Sequence, residues 1–173
     1  MNSYKEKFSE DDWMLLSTTP SMIGSAVAGA GSSGIIGTLK EAYGNVRSIM
    51  EGASQFPDNP LIGTILEKPE SIDAAKELMT KNKAAIMARM EAQNVKTPAD
   101  IKKLCIEDCT RTVALLESSV APEIALEYKS RLMNIGQRVA EAAKEGGFLG
   151  FGGQRVSEEE SQLLEEIQGI LNL

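Results

Sequence analysis

Apolar residues recur every three or four positions along most of the chain, the spacing of one face of an α-helix. No run of alternating β-branched and polar residues is long enough to set a strand. A first helix is expected over Glu10 to Leu16. Ser9 stands as its N-cap, Glu10, Asp11 and Asp12 fill its first turn, and Trp13 and Leu16 form its apolar side. Thr19-Pro20 is expected to end it, because proline has no N–H and disfavours helical geometry in the residue before it. Ser21 to Ala30 follows as a small-residue segment. Ser21, Ser25 and Gly29 repeat every four positions, as do Met22, Ala26 and Ala30, and such faces let two helices approach closely.

Beyond a Gly31–Gly34 break, Ile35 to Ser54 carries a helical stripe that includes Ile36, Leu39, Tyr43, Val46 and Met50. Gln55 to Pro60 reads as a loop and Leu61 to Leu66 as a short helical turn. Ser71 to Gln93 is a long helix with Ile72, Ala75, Leu78, Met79, Ala85, Ile86 and Met90 expected inward. Lys76, Lys81, Lys83 and Arg89 are expected on its outer face. Thr97-Pro98-Ala99-Asp100 starts the next helix, with an N-cap, proline at the first helical position and an acid in the first turn. It runs to about Ser118. Pro122 opens another, with a stripe of Ile124, Ala125, Tyr128, Leu132, Ile135, Val139 and Ala142, stopped by Gly146-Gly147. Ser157-x-x-Glu160 is a capping box for the last helix, whose apolar residues are Leu163, Leu164, Ile167, Ile170 and Leu171. The chain is expected to be all-α, a single-domain bundle of about six or seven helices spanning 1–173. Its first twenty residues form either part of that bundle or an appendage.

Composition narrows the function. At 173 residues the chain is long enough to bury a core without disulfides or metals. A net charge of -7 argues against nucleic acid as a partner. The chain contains no histidine, so Ser-His-Asp and Cys-His catalysis, His-ligated zinc and a histidine pH switch are excluded. The N-terminus has no basic region before an apolar run. Glycines and serines dilute Met22 to Leu39, the most lipid-like stretch, so no stable membrane insertion is expected and the reading is a cytoplasmic protein.

Three features invite a chemical reading. Gly29-Ala30-Gly31-Ser32-Ser33-Gly34 spells G-x-G-x-x-G, but no strand precedes it and no βαβ unit follows, so a helix corner is the better reading. Ser33 and Gly34 still precede a helix start, where an anion can be held. Cys105 and Cys109 lie four apart on one helical face. With Ile101, Thr112 and Leu116 they continue a buried stripe, and the chain has no further Cys or His to complete a thiolate metal site. Glu107 and Asp108 beside them are assigned to the solvated face, with Arg111 one turn after Glu107. Gly146 to Gly153 sets Phe148, Leu149 and Phe151 among five glycines, either a loop tucked into the bundle or a docking element.

Ala26 to Gly34 with Glu41, and Ala140 to Gly153 with Glu160, share one pattern: small residues, glycine, then a helix with an acid in or near its first two turns. In this the chain resembles the small helical domains of tellurite-resistance TerB-like proteins, most closely at Val156-Ser157-Glu158-Glu159-Glu160 with Leu163, Leu164 and Ile167. Ser33 and Gly152 stand where that family places Asp, so the resemblance implies no metal site. The whole chain also resembles an uncharacterised prokaryotic all-helical family, which implies no chemistry. No cofactor is expected. The leading expectation is a non-enzymatic interaction or self-association module, with a homo-oligomer or protein partner. The alternative is a small-ligand or metal-binding bundle of TerB-like character. Candidate contact residues are Phe148, Leu149, Phe151, Ser33, Gly34, Glu41 and Glu160.

Overall fold

The computed structural model describes residues 4–30, 55–67, 70–145 and 156–173, with the side chains of residues 75 and 142–145 excepted. Within them the protein is all-α, as the apolar spacing predicts. A 3-10 turn, Tyr4–Lys7, leads into six helices: α1 (Glu10–Ala30), α2 (Pro60–Ile65), α3 (Ile72–Ala92), α4 (Pro98–Ser119), α5 (Pro122–Glu145) and α6 (Glu158–Leu171). The helix expected over Ile35 to Ser54 lies outside the described residues.

The cap chemistry read from sequence sets the helix ends. Thr97 and Asp100 form a reciprocal capping box at α4, and Ser157 and Glu160 form another at α6. Asn59 caps α2 by accepting from the N–H groups of Leu61 and Ile62, with Pro60 at the first helical position. Its amide also donates to the Ile124 carbonyl and the Glu127 carboxylate, which ties this short helix to α5.

The core gathers around α1, which packs chiefly on α4 and α5, while α6 closes against all three. Leu16, Ile23, Val27, Leu104, Leu116, Leu132, Leu163 and Ile167 are buried there. Each such side chain contributes on the order of 1.5–3 kcal/mol on leaving water. Close approach is needed at Gly136 of α5, where an added Cβ would come within 2.9 Å of Leu164 Cδ2 and 3.3 Å of Ile23 Cγ2.

The structure corrects three expectations. Thr19-Pro20 does not end the first helix. α1 runs through Pro20 for 21 residues, so the two expected segments are one element. The reason is a replacement donor. Proline cannot supply the N–H that would bond the Leu16 carbonyl four residues back. The buried Tyr128 hydroxyl of α5 donates to that carbonyl instead. Thr18 and Thr19 turn their hydroxyls back to the carbonyls of Met14 and Leu15, both at 2.7 Å.

The second correction concerns α3. Its boundaries match, with Ser71 as N-cap, but only its C-terminal half enters the core. Ile86 is buried and Met90 half-buried, whereas Ile72 is 76% and Met79 62% exposed, and Leu78 is also exposed. α3 leans on α1 near one end, so the rest of its stripe meets no partner helix among the described residues. The third correction is that Asp108 and Arg89 are not surface charges. Asp108 is fully buried against the half-buried Arg89.

Candidate functional site

Two features on α3 stand out: a cleft beneath its C-terminal half and an open apolar face on its N-terminal half. The cleft lies between α1, α3 and α4 and holds about 300 Å³. Met14, Leu15 and Met22 of α1 and Ile86 of α3 form its apolar walls. The α1 contribution follows from helical spacing, since residues 14, 15, 18 and 22 fall on one face. Arg89 of α3 and Arg111 of α4 supply two guanidinium groups, and Asp11 in the first turn of α1 supplies a carboxylate.

Arg89 is held in place. Its Nη1 donates to Asp108 Oδ2 at 2.7 Å and its Nη2 to Asp108 Oδ1, a two-pronged clamp that fixes the planar fork. Burial pushes the Asp108 carboxyl above its ordinary range, and the Arg89 hydrogen bonds and charge oppose that rise. The Arg111 charge adds a smaller opposing effect. A guanidinium has five N–H groups and the clamp engages two, so Arg89 retains donors on a side chain that remains 26% accessible.

Behind the cleft runs a buried polar seam. The Thr19 hydroxyl donates to Leu15 and receives the Thr112 hydroxyl of α4 at 3.1 Å. Cys105 and Cys109 are fully buried free thiols on the stripe that spacing predicts. The Cys109 thiol hydrogen-bonds Cys105 and, together with burial, holds the Cys105 thiol well above its ordinary range. That is the environment of a packed, protonated thiol and not of a nucleophile. On α5, burial raises the Tyr128 phenol and lowers the fully buried Arg131 guanidinium, each relative to its ordinary value.

Of the candidate residues read from sequence, the structure places Glu160 at the third position of α6. It is buried, and its carboxylate accepts the Ser157 N–H at 2.8 Å. Its charge is spent on the helix start. Ser33, Gly34, Glu41, Phe148, Leu149 and Phe151 lie outside the described residues, so no grouping of them with Glu160 is described. Gly29 and Ala30, which begin the G-x-G-x-x-G string, lie within α1, where a dinucleotide fold would need a strand.

Sequence reasoning missed Arg89, Asp108, Asn59 and Arg131 as interior groups. Arg131 had a signal: it lies three residues after Tyr128 and four before Ile135, inside the apolar stripe of α5. Asn59-Pro60 before an apolar turn was a cap signature. Nothing local marks Arg89 and Asp108 as a pair, because they stand on different helices.

Among the described residues, no group of three or more Cys, Asp or Glu side chains is placed to hold a metal ion. No helix there is long and apolar enough to cross a membrane. No protein-family description matches the chain. No curated protein and no solved structure matches it either.

Proposed function

We propose that this protein is a non-enzymatic interaction module that docks an acidic, amphipathic helical segment of another protein on the N-terminal half of α3. The observation that carries the reading is a single apolar stripe used in two ways. Its C-terminal part, Ile86 and Met90, packs on the core, and its N-terminal part, Ile72 and Met79, is left in water with Leu78 beside it. A helix face that continues an established packing surface is suited to receive a second helix in the same register. Methionine adapts to varied partner shapes at such surfaces.

Charge selects the partner. Lys76, Lys81 and Lys83 outnumber Asp73 and Glu77 along this segment, and of these Lys76 is paired with Asp73, at 3.7 Å, in a chain whose net charge is -7. Lys81 and Lys83, the lysines beyond the Asp73–Lys76 pair, favour an acidic partner for this face. The buried or half-buried groups most able to do chemistry already hold the fold: Asp108 clamps Arg89, Glu160 caps α6 and Tyr128 bonds the Leu16 carbonyl.

The test is fluorescence anisotropy with a labelled synthetic helix carrying leucine at i, i+3, i+4 and i+7 and glutamate elsewhere. The wild-type protein is expected to bind it saturably. Met79→Asp, and separately Lys76→Glu with Lys83→Glu, should weaken binding at least tenfold while leaving the thermal midpoint unchanged, because all three side chains are exposed. Binding that ignores both variants, or no saturable binding, refutes the reading.

A further inference from the structure

We propose that the cleft between α1, α3 and α4 is a binding site for a small aromatic carboxylate, its acid group held by Arg89 and Arg111 and its ring seated on Met14, Met22 and Ile86. This site is independent of the α3 docking face. It takes a different ligand and uses different residues.

Three observations converge. The first is size: about 300 Å³ falls at the lower end of volumes that hold small organic ligands. The second is the division of the lining. One side is apolar and includes two methionines, whose sulfurs make favourable contacts with aromatic rings. The polar groups are few and come from three helices, so they converge on the cleft from different directions. The third is preorganisation. Arg89 does not sway in solvent, because the buried Asp108 holds its fork at two points and leaves further N–H groups uncommitted. A guanidinium fixed before the ligand arrives loses less rotamer freedom on binding than a free surface arginine.

The uncommitted guanidinium donors point to an acid. Asp108 offsets one of the two guanidinium groups and is itself sealed from solvent, so it offers a ligand nothing. Arg111 is exposed and lies one helical turn after Asp108. It adds a second guanidinium to the lining of the cleft. Asp11, exposed like Arg111, sits in the first turn of α1 and also lines the cleft. That carboxylate gives the site a means of telling two ligand sources apart. An amino acid would present an ammonium group to Asp11, and a simple aryl-alkanoate would not.

Isothermal titration calorimetry with four probes tests the proposal: 3-phenylpropanoate, its neutral amide 3-phenylpropanamide, phenylalanine and phosphate. Saturable binding of 3-phenylpropanoate is expected, at least tenfold tighter than of the amide, with none for phosphate. Arg111→Gln should bring the acid down to the level of the amide and leave the amide unchanged. Ala85→Phe, which fills the cleft from α3, should abolish both. Phenylalanine tighter than 3-phenylpropanoate, with the difference lost in Asp11→Asn, assigns the site to amino acids; the reverse order assigns it to simple acids. Equal binding of acid and amide, an unaffected Arg111→Gln, or no saturable heat with either carboxylate overturns the proposal. Lys76→Glu with Lys83→Glu should leave every one of these titrations unchanged, which separates failure of this site from failure of the docking face.

Discussion

Replacing Tyr128 with phenylalanine removes one oxygen from the interior and leaves a carbonyl in the middle of α1 with no donor. Pro20 has no N–H to offer the Leu16 carbonyl, and Leu16 and Tyr128 are both fully buried, so water does not stand in. An acceptor stranded in this way costs about 1–3 kcal/mol. The cavity left by a single hydroxyl adds little. For a chain of this size each 1 kcal/mol moves the thermal midpoint by ~2–4 °C, so the midpoint of Tyr128→Phe should fall by several degrees. The decisive comparison adds Pro20→Ala. Alanine restores an N–H four residues after Leu16 and relieves the clash between the proline ring and that carbonyl. In the wild-type background the carbonyl already has a partner, and the gain is only that of removing proline from a helix. In the Tyr128→Phe background the new N–H also satisfies the stranded oxygen. The two substitutions should therefore couple by at least ~0.5 kcal/mol in a urea-denaturation double-mutant cycle. A harmless Tyr128→Phe, or a Pro20→Ala effect of equal size in both backgrounds, would refute the account of why α1 continues through its proline.

The Arg89–Asp108 clamp predicts an asymmetry. Arg89→Met leaves a buried carboxylate uncompensated and should cost ~3 kcal/mol or more, whereas Asp108→Asn leaves a half-exposed arginine that water can reach and should cost clearly less. In Arg89→Met the Asp108 carboxyl rises further above its unfolded value near 3.8, so the defect should shrink as pH falls from 7 towards 4 in urea titrations. At the alkaline end the folded chain holds the Cys105 and Tyr128 protons more tightly than the unfolded chain, where they leave near 9.0 and 10.0. Stability should be full below pH 9 and decline above it, and Cys105→Ala should delay the onset of that decline. Helix propensity alone favours alanine over glycine by about 1 kcal/mol at either of two helical positions. Gly24→Ala should gain roughly that, since its Cβ would meet Val139 at an ordinary 3.6 Å, while Gly136→Ala should gain less or lose stability, because its Cβ would press at 3.3 Å on Cγ2 of the fully buried, β-branched Ile23 even after the Leu164 side chain swings away. Thermal midpoints rising equally in the two variants would contradict the packing described.

The amino-acid sequence by itself determined the class of fold and most helix boundaries. Those rest on short-range physics: an apolar residue every third or fourth position, and caps such as Thr97–Asp100 and Ser157–Glu160 whose partners lie three residues apart. The stripes of α4, α5 and α6 lead into the core for the same reason. Tertiary structure decided what depends on distant partners. Pro20 carries every local mark of a helix end, and it is overruled by a tyrosine 108 positions later that no local rule brings near. Asp108 beside Glu107 and Arg111 looks like surface charge until α3 delivers Arg89 to it. Ile72 and Met79 look as buried as Ile86, because periodicity shows that a face is apolar and not how far along it a neighbouring helix extends. The cleft followed the same rule. Its walls on α1 share a helical face that spacing reveals, but its two arginines come from separate helices, and only the packing of α3 and α4 on α1 brings them to one place.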